Sequence, residues 1–439
     1  MPSGIHRRDL IAGAVAAACA SRARADQPAA VAPTPTPAIG ARPSAGNSAV
    51  ERAATDWPVW DASEEQALLE VLHSGKWGRT AGGRALKDFE AAFAAAMQAK
   101  HCLATSSGTT ALLTTLGALG IGPGDEVILP PYTFVATFNA ITGHYALPVF
   151  VDSDLETFQI DDTKVESAIT DRTRVLLPVH IGGAPANLDA LTAIAARHEL
   201  PMIEDACQAH LASWRGRVVG TRGLGGCFSF QASKNLTAGD GGAIVTDDEH
   251  FARRCLAFHA PGNDAGLRLL GRGANYRMTE FQAGLLLAQL VRLERQTRVR
   301  EANATYLSGM LREIPGIEPQ RLLEGCTRSA WHLYMFRYDA RQFRDLPREE
   351  FLKRLGRAGV MAGGGYTSLN RSPHAQALAT NPHYLRIYGK DRMERWAAQA
   401  CPVNDRLCGQ AVWLTQRKLL GGRQDMERIA EAIAAIQKG

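Results

Sequence analysis

Residues 174–206 read RVLLPVHIGGAPANLDALTAIAARHELPMIEDA. Two short runs rich in Val, Ile and Leu, RVLLPVH and PMIEDA, bracket NLDALTAIAARHE, which carries apolar residues at helical spacing behind an Asn suited to cap a helix start. A strand, a helix and a strand in that order, with strands apolar on both faces, predict a mainly parallel sheet covered on both sides. The pattern extends upstream. HCLATS (101–106), EVILP (126–130) and LPVFVD (147–152) read as strands, and GTTALLTTLGALG (108–120) and YTFVATFNAITGHY (132–145) as helices. Downstream, FSF (228–230) and GGAIVT (241–246) are strand-like, and a long helix starts at Thr279. Beyond about residue 315 the alternation loosens, with a strand in WHLYMFRYD, a helix in LPREEFLKRLGRAGV and a terminal amphipathic helix in MERIAEAIAAIQ. The fold expected is α/β: a large domain over 56–314, whose N-terminal segment contributes to a smaller α+β domain over 315–439.

The chain has 439 residues, enough for two domains, and 46% hydrophobic and 21% charged residues, as in ordinary globular proteins. A net charge of +5 that is not gathered into a stripe gives no footprint for nucleic acid. The eight cysteines form no CxxC pair, which argues against structural zinc or a disulfide framework, and no metal site is expected. The signatures HExxH and GxSxG are absent.

The first residues form an address. Arg7-Arg8 precede the short apolar run IAGAVAAACA, and Ala23-Arg24-Ala25 fits a small-residue cleavage rule. Residues 1–25 are therefore expected to be a twin-arginine signal peptide, which would place the mature chain in the periplasm; an uncleaved basic leader would leave it in the cytoplasm. The run is too short for a permanent membrane span. Residues 26–55, rich in Pro and Ala, read as a disordered tether.

Ligands of such sheets bind outside the carboxyl ends of the strands. Four pieces fall there or nearby. Ser106-Ser107-Gly108-Thr109-Thr110 lies between a strand and a helix, where free N–H groups and the helix dipole suit a phosphate and the Thr109 and Thr110 hydroxyls add donors; taken alone, it is equally a plain chain reversal. Asp205 ends a strand, where a carboxylate either holds a proton on a pyridine-ring nitrogen or caps a turn. Lys234 precedes the turn Gly239-Asp240-Gly241-Gly242 and is either a Schiff-base amine or a solvated loop lysine. Asn275 and Arg277 precede the long helix and either serve a phosphate or cap that helix.

Order and context decide between these readings. The stretches SSGTTAL, GPGDEVILPPYTFVATFNAI, LPVHIGGAPANLDAL, PMIEDACQAH, GCFSFQASKNLTAGDGGAIVTDD and GANYRMTEFQAGLLLAQL resemble the DegT/DnrJ/EryC1/StrS sugar aminotransferase family, of the pyridoxal 5'-phosphate (PLP) fold type I. The resemblance runs from about Trp57 to the C-terminus. It implies PLP as cofactor, Lys234 as the Schiff-base lysine and Asp205 as partner of the pyridine nitrogen. Gln208 would lie beside the ring or its O3', and Phe134 would stack on the other face. Gly108, Thr109 and Ser229 would bind the phosphate, and Asn275 would reach it from the neighbouring subunit of a homodimer. Family members with His at the lysine position are dehydratases; this chain keeps Lys. The second Thr of SSGTT and Cys207 depart mildly from the family pattern.

WPVWDASEEQALLEVLHSGKWGR (57–79) is most similar to the branch holding inosose aminotransferases and aminohydroxybenzoate synthases. That implies ping-pong transfer from glutamate or glutamine to a keto-cyclitol or keto-sugar, with the Lys234 amine as general acid/base. His180, His210 and His332 are candidate substrate contacts, each also readable as a satisfied structural histidine. The competing readings are an aminohydroxybenzoate-synthase-type dehydratase on the same lysine and a non-catalytic exported PLP-fold binding protein.

Overall fold

The computed structural model describes residues 57–260 and 271–439; the signal and tether expectations for residues 1–55 lie outside them. Seven strands build the large sheet: β1 (His101–Thr105), β2 (Glu126–Leu129), β3 (Leu147–Phe150), β4 (Thr173–Leu176), β5 (Ile203–Asp205), β6 (Gly225–Ser229) and β7 (Gly242–Thr246). Their spatial order is β3-β2-β4, then β5-β6-β7-β1. The two groups meet through parallel bridges at Leu176–Met202 and Val179–Asp205. Only β7 runs against its neighbours, so the sheet is mainly parallel, as the alternating pattern predicts.

The strands are apolar throughout because both faces are covered. On β2, Val127 and Leu129 enter one hydrophobic core and Ile128 the other, the period-2 alternation of a strand between two layers. The helices α1 (Ala62–Ser74), α2 (Ala85–Ala96), α3 (Gly108–Ala118), α4 (Val135–Thr142), α5 (Leu188–Arg197) and α6 (Glu249–His259) supply those layers. Asn187 caps α5 through its side chain, which accepts from the Ala190 N–H at 3.3 Å.

The 33-residue helix α7 (Glu280–Arg312) starts at a capping box of Thr279 and Gln282. At 1.5 Å per residue it spans roughly 50 Å. Its first half places Ala283, Leu286 and Leu293 in a core of the large sheet. Its second half places Ala304, Leu307 and Leu311 in a separate core under a three-stranded antiparallel sheet of β8 (Ile317–Pro319), β9 (Leu333–Tyr338) and β10 (Ala411–Thr415).

Between residues 361 and 410 the structure holds what the sequence pattern leaves unread. A glycine loop, Gly363-Gly364-Gly365, is stapled to β10 by paired bonds between Gly363 and Trp413, and four short helices follow. Leu378, Tyr384, Met393 and Trp396 of those helices share a core with Leu129 and Phe150 of the large sheet. Among the described residues, no helix is long and apolar enough to cross a membrane.

Candidate active site

The strand ends bring the functional side chains together. Asp205, last residue of β5, is buried, and its carboxylate accepts from the Thr137 hydroxyl at 2.8 Å and the Cys207 N–H at 3.2 Å. Thr137 stands in the first turn of α4, so the PPYTF segment delivers both Thr137 and Phe134 to the end of β5. Sequence reasoning missed Thr137; its signal was a hydroxyl one turn beyond the aromatic. Phe134 itself is more than half exposed, with an apolar face unclaimed by this chain's core.

At the end of β1, Ser107 caps α3. Its hydroxyl accepts from the Thr110 N–H at 3.1 Å, and the Ser107 N–H returns to the Thr110 hydroxyl at 2.9 Å. Thr110 thus shapes the turn with its side chain. Among the described residues, nothing accepts from the Gly108 and Thr109 N–H groups, the first two donors of the helix. A Cβ on Gly108 would sit 2.7 Å from the Ser229 Cβ and 2.9 Å from the Cys207 sulfur, so only glycine allows the turn to approach the end of β6. Gly242 of β7 is as tightly placed, because a side chain there would run into the Ser107 carbonyl.

Lys234 sits in a loop closed at its neck, where Phe230 N–H donates to Gly241 and the Phe230 carbonyl accepts from Ala238. The Lys234 N–H donates to the Gln231 carbonyl at 2.8 Å. The next residue, Asn235, is anchored by its amide to the Ala330 carbonyl at 2.7 Å. Burial pulls the proton affinity of the Lys234 amine below that of a free lysine, and the Asp205 carboxylate opposes the fall. The amine therefore lies within electrostatic reach of the Asp205 carboxylate, and its uncharged, nucleophilic form is favoured by its surroundings.

Gln208 is fully engaged. Its carbonyl accepts from Gly182 N–H at 2.8 Å and its amide donates to the Tyr366 hydroxyl at 2.8 Å. Tyr366, presented by the three-glycine loop, is a second residue that sequence reading missed, because nothing in a glycine-rich stretch fixes where its neighbour points. Asn275 is exposed, and its backbone neighbour Tyr276 accepts from the Ser106 N–H at 2.7 Å, which sets the segment beside the phosphate-type turn. Arg277 forms a bridge with Thr105.

The three histidines differ. His180 Nδ1 accepts from the Ala186 N–H at 3.2 Å, so its Nε2 donates to Glu204 at 3.0 Å, and the ring is engaged inside the protein rather than offered to a substrate. His210 is packed against Phe228 and Phe230, and burial lowers its pKa to about 3. His332 bonds Asn235 through Nδ1 at 3.3 Å, and burial, with Lys234, His210 and Arg300 nearby, keeps it far below an ordinary histidine's pKa.

These residues fit PLP. Two unclaimed N–H groups and the Ser229 hydroxyl converge where a phosphate would sit, a cradle that a Cβ at Gly108 would fill. A buried carboxylate is held at the strand end, and a desolvated amine stands within its field.

Comparison with known proteins agrees. Residues 58–434 match the model of the DegT/DnrJ/EryC1/StrS aminotransferase family. The chain is 38% identical to an L-glutamine:2-deoxy-scyllo-inosose aminotransferase of Micromonospora echinospora, over 87% of this chain and 94% of that one. It is 36% identical to a 3-amino-5-hydroxybenzoate synthase of Amycolatopsis mediterranei, over 86% and 96%. Among solved structures, a 3-amino-5-hydroxybenzoic acid synthase superposes with a TM-score of 0.77 at 34% identity, covering 87% of this chain and 97% of that one. NtdA from Bacillus subtilis with bound cofactor PMP superposes at 0.72 and 27% identity, covering 90% and 86%. With the strand-end lysine, the carboxylate and the glycine turn in place, the chain belongs to the DegT/DnrJ/EryC1/StrS aminotransferase family and is a PLP-dependent aminotransferase.

Proposed function

We propose that this aminotransferase moves an amino group from glutamine or glutamate to a six-membered keto-cyclitol or related keto-sugar, in two half-reactions that share one site. The observation that carries the reading is the convergence of a desolvated Lys234 amine, the Asp205 carboxylate and the unclaimed N–H groups of Gly108 and Thr109. The acceptor class is supported by the names of similar proteins, which include inosose aminotransferases of several actinobacteria.

When bound, PLP supplies the aldehyde that carries the amino group and a ring that withdraws electrons from the substrate carbon. Gly108, Thr109 and Ser229 would hold its phosphate. Asp205, fixed by Thr137 and the Cys207 N–H, keeps the ring nitrogen protonated by charge pairing. Phe134 and Gln208 would flank the ring, and Asn275 would serve the phosphate of a second copy of the chain in a homodimer. Lys234 would hold the cofactor's aldehyde carbon, and its amine, once free, would act as the general acid/base that moves a proton at the substrate carbon. Burial lowers its proton affinity relative to a free lysine, which favours the uncharged amine that both acts need.

The test is amino transfer by the purified chain. Glutamine and 2-deoxy-scyllo-inosose or scyllo-inosose are expected to give the amino-cyclitol, with a cofactor absorbance that donor alone bleaches. An aromatic aminohydroxybenzoate product would select the dehydratase reading, and a colourless protein unaffected by donors would select a binding module. Lys234→Ala is expected to remove the absorbance band and all turnover; full activity in that variant would end the proposal. Export by the twin-arginine route belongs to the same reading, and replacing Arg7 and Arg8 is expected to retain the protein in the cytoplasmic fraction.

A further inference from the structure

Arg300, in the middle of α7, is fully buried, and its guanidinium meets no carboxylate among the described residues. Its Nε and Nη2 donate to the side-chain carbonyl of Gln416 at 2.9 and 2.6 Å, and Nη1 has no partner among the described residues. A buried charge ordinarily demands an opposite one, and a guanidinium cannot escape by losing its proton. A glutamate at 416 would have fitted the same space and satisfied that demand.

Two arms lead from Arg300 to the lysine loop. On one side its guanidinium lies 5.5 Å over the Trp57 ring, and the Trp57 indole N–H donates to the carbonyl of Ala232 at 2.8 Å. On the other side the Gln416 N–H donates to the His332 carbonyl at 3.0 Å, and the His332 ring bonds Asn235. Ala232 and Asn235 flank Lys234. Resting on the function proposed above, we infer that Arg300 is a positioning residue for Lys234, holding both flanks of the lysine loop from behind as a cation that the fold leaves without a counter-charge.

The missing counter-charge has a purpose. The groups that act on His332 are Lys234, His210 and Arg300, all cationic when protonated, and those on Lys234 are Cys207 and Asp205. A carboxylate at 416, on the residue whose N–H bonds His332, would let the imidazole and the amine beside it hold protons more tightly. The amine must be uncharged to attack. A neutral glutamine keeps the hydrogen bonds of the arm without adding negative charge behind the lysine.

The experiment compares Gln416→Glu, Arg300→Lys and Arg300→Met in the full-length chain. Lys234 reactivity is read by competitive acylation and mass spectrometry against pH after the cofactor has been removed with an amino donor, and the pH midpoint of the bound-cofactor absorbance is read separately. Gln416→Glu preserves shape and is expected to raise the Lys234 midpoint by about one pH unit, a tenfold gain in proton affinity. Arg300→Met removes the anchor of both arms and should loosen cofactor retention. Arg300→Lys, which keeps the charge but loses the two-pronged bond to Gln416, should hold the midpoint yet loosen retention. Profiles that superpose for wild type and Gln416→Glu would overturn the inference, whether or not the Arg300→Met chain folds. Because the acylation reads Lys234 without substrate, a chain that fails to transaminate inososes would sink the acceptor assignment and leave this result standing.

Discussion

Glu204 and Asp205 are neighbours on β5, and their carboxylates sit in opposite surroundings. Glu204 points into a closed shell. It accepts from His180 Nε2 at 3.0 Å and from the N–H groups of Gly220, Arg222 and Gly223 at 2.7, 2.8 and 2.9 Å. Burial works against its ionisation, but the His180 imidazole and those N–H groups outweigh it and hold the carboxyl below the usual glutamate range. Asp205 has two partners, Thr137 and the Cys207 N–H, and faces the lysine. The contrast teaches which half of the strand end is scaffold and which is chemistry. The scaffold half is saturated with hydrogen bonds, whereas the chemical half, among the described residues, keeps unclaimed donors at Gly108 and Thr109, a desolvated amine and, behind it, a guanidinium with no counter-charge.

The sharpest way to break the contrast is to remove the two charges one at a time. Asp205→Asn is expected to retain folding and part of the cofactor while turnover falls about a thousandfold, the size of a misplaced proton in general acid–base chemistry. Steady-state kinetics with saturating cofactor measures this, and unchanged turnover would remove Asp205 from its role. Glu204→Ala should behave in reverse. Removing one member of a buried, hydrogen-bonded pair strands His180 and the N–H groups at a cost of about 3–5 kcal/mol. Urea unfolding of the cofactor-free chain reads that loss; a midpoint within error of wild type would show that Glu204 is not scaffold.

Gly108→Ala probes the border between the halves. Its new methyl group meets Ser229 and Cys207, both rooted in strand ends, so the turn must move outward. Overpacking of this kind costs roughly 1–3 kcal/mol. Here the loss should fall on cofactor affinity, about tenfold to a hundredfold by fluorescence titration, rather than on the unfolding midpoint.

The contrast also explains what the sequence reveals. The scaffold is written in periodicities: the alternation on β2, the helical spacing of α5 behind Asn187, and the capping box at Thr279. The same local signals expose Asp205, Lys234 and Gly108, because each sits at a break between elements where a carboxylate, an amine or a glycine is conspicuous. Thr137, Tyr366 and Arg300 were hidden for another reason. Their roles depend on partners 68, 158 and 116 residues away, and such meetings leave no spacing to read. His180 shows the converse. Its motif setting favours a substrate contact as readily as a structural role, and only the bonds on both ring nitrogens reveal that it is committed to Glu204.

The smallest expected effect sharpens the comparison through pH. Because the folded-state pKa of Glu204 lies below its unfolded value, its contribution to stability is complete above the usual glutamate pKa and is lost as pH falls through the depressed folded value. Over that acid window the stability of the wild-type chain should therefore fall more steeply than that of Glu204→Gln, which has no charge to lose. One group can add at most about 1.4 kcal/mol per pH unit to the slope. Asp205→Asn serves as the control on the neighbouring position, and paired unfolding series at pH values below 4.5 give the measurement. If Glu204→Gln and wild type lose stability in parallel, the carboxylate at Glu204 contributes nothing that depends on charge. The closed half of the strand end would then be held by its backbone hydrogen bonds alone.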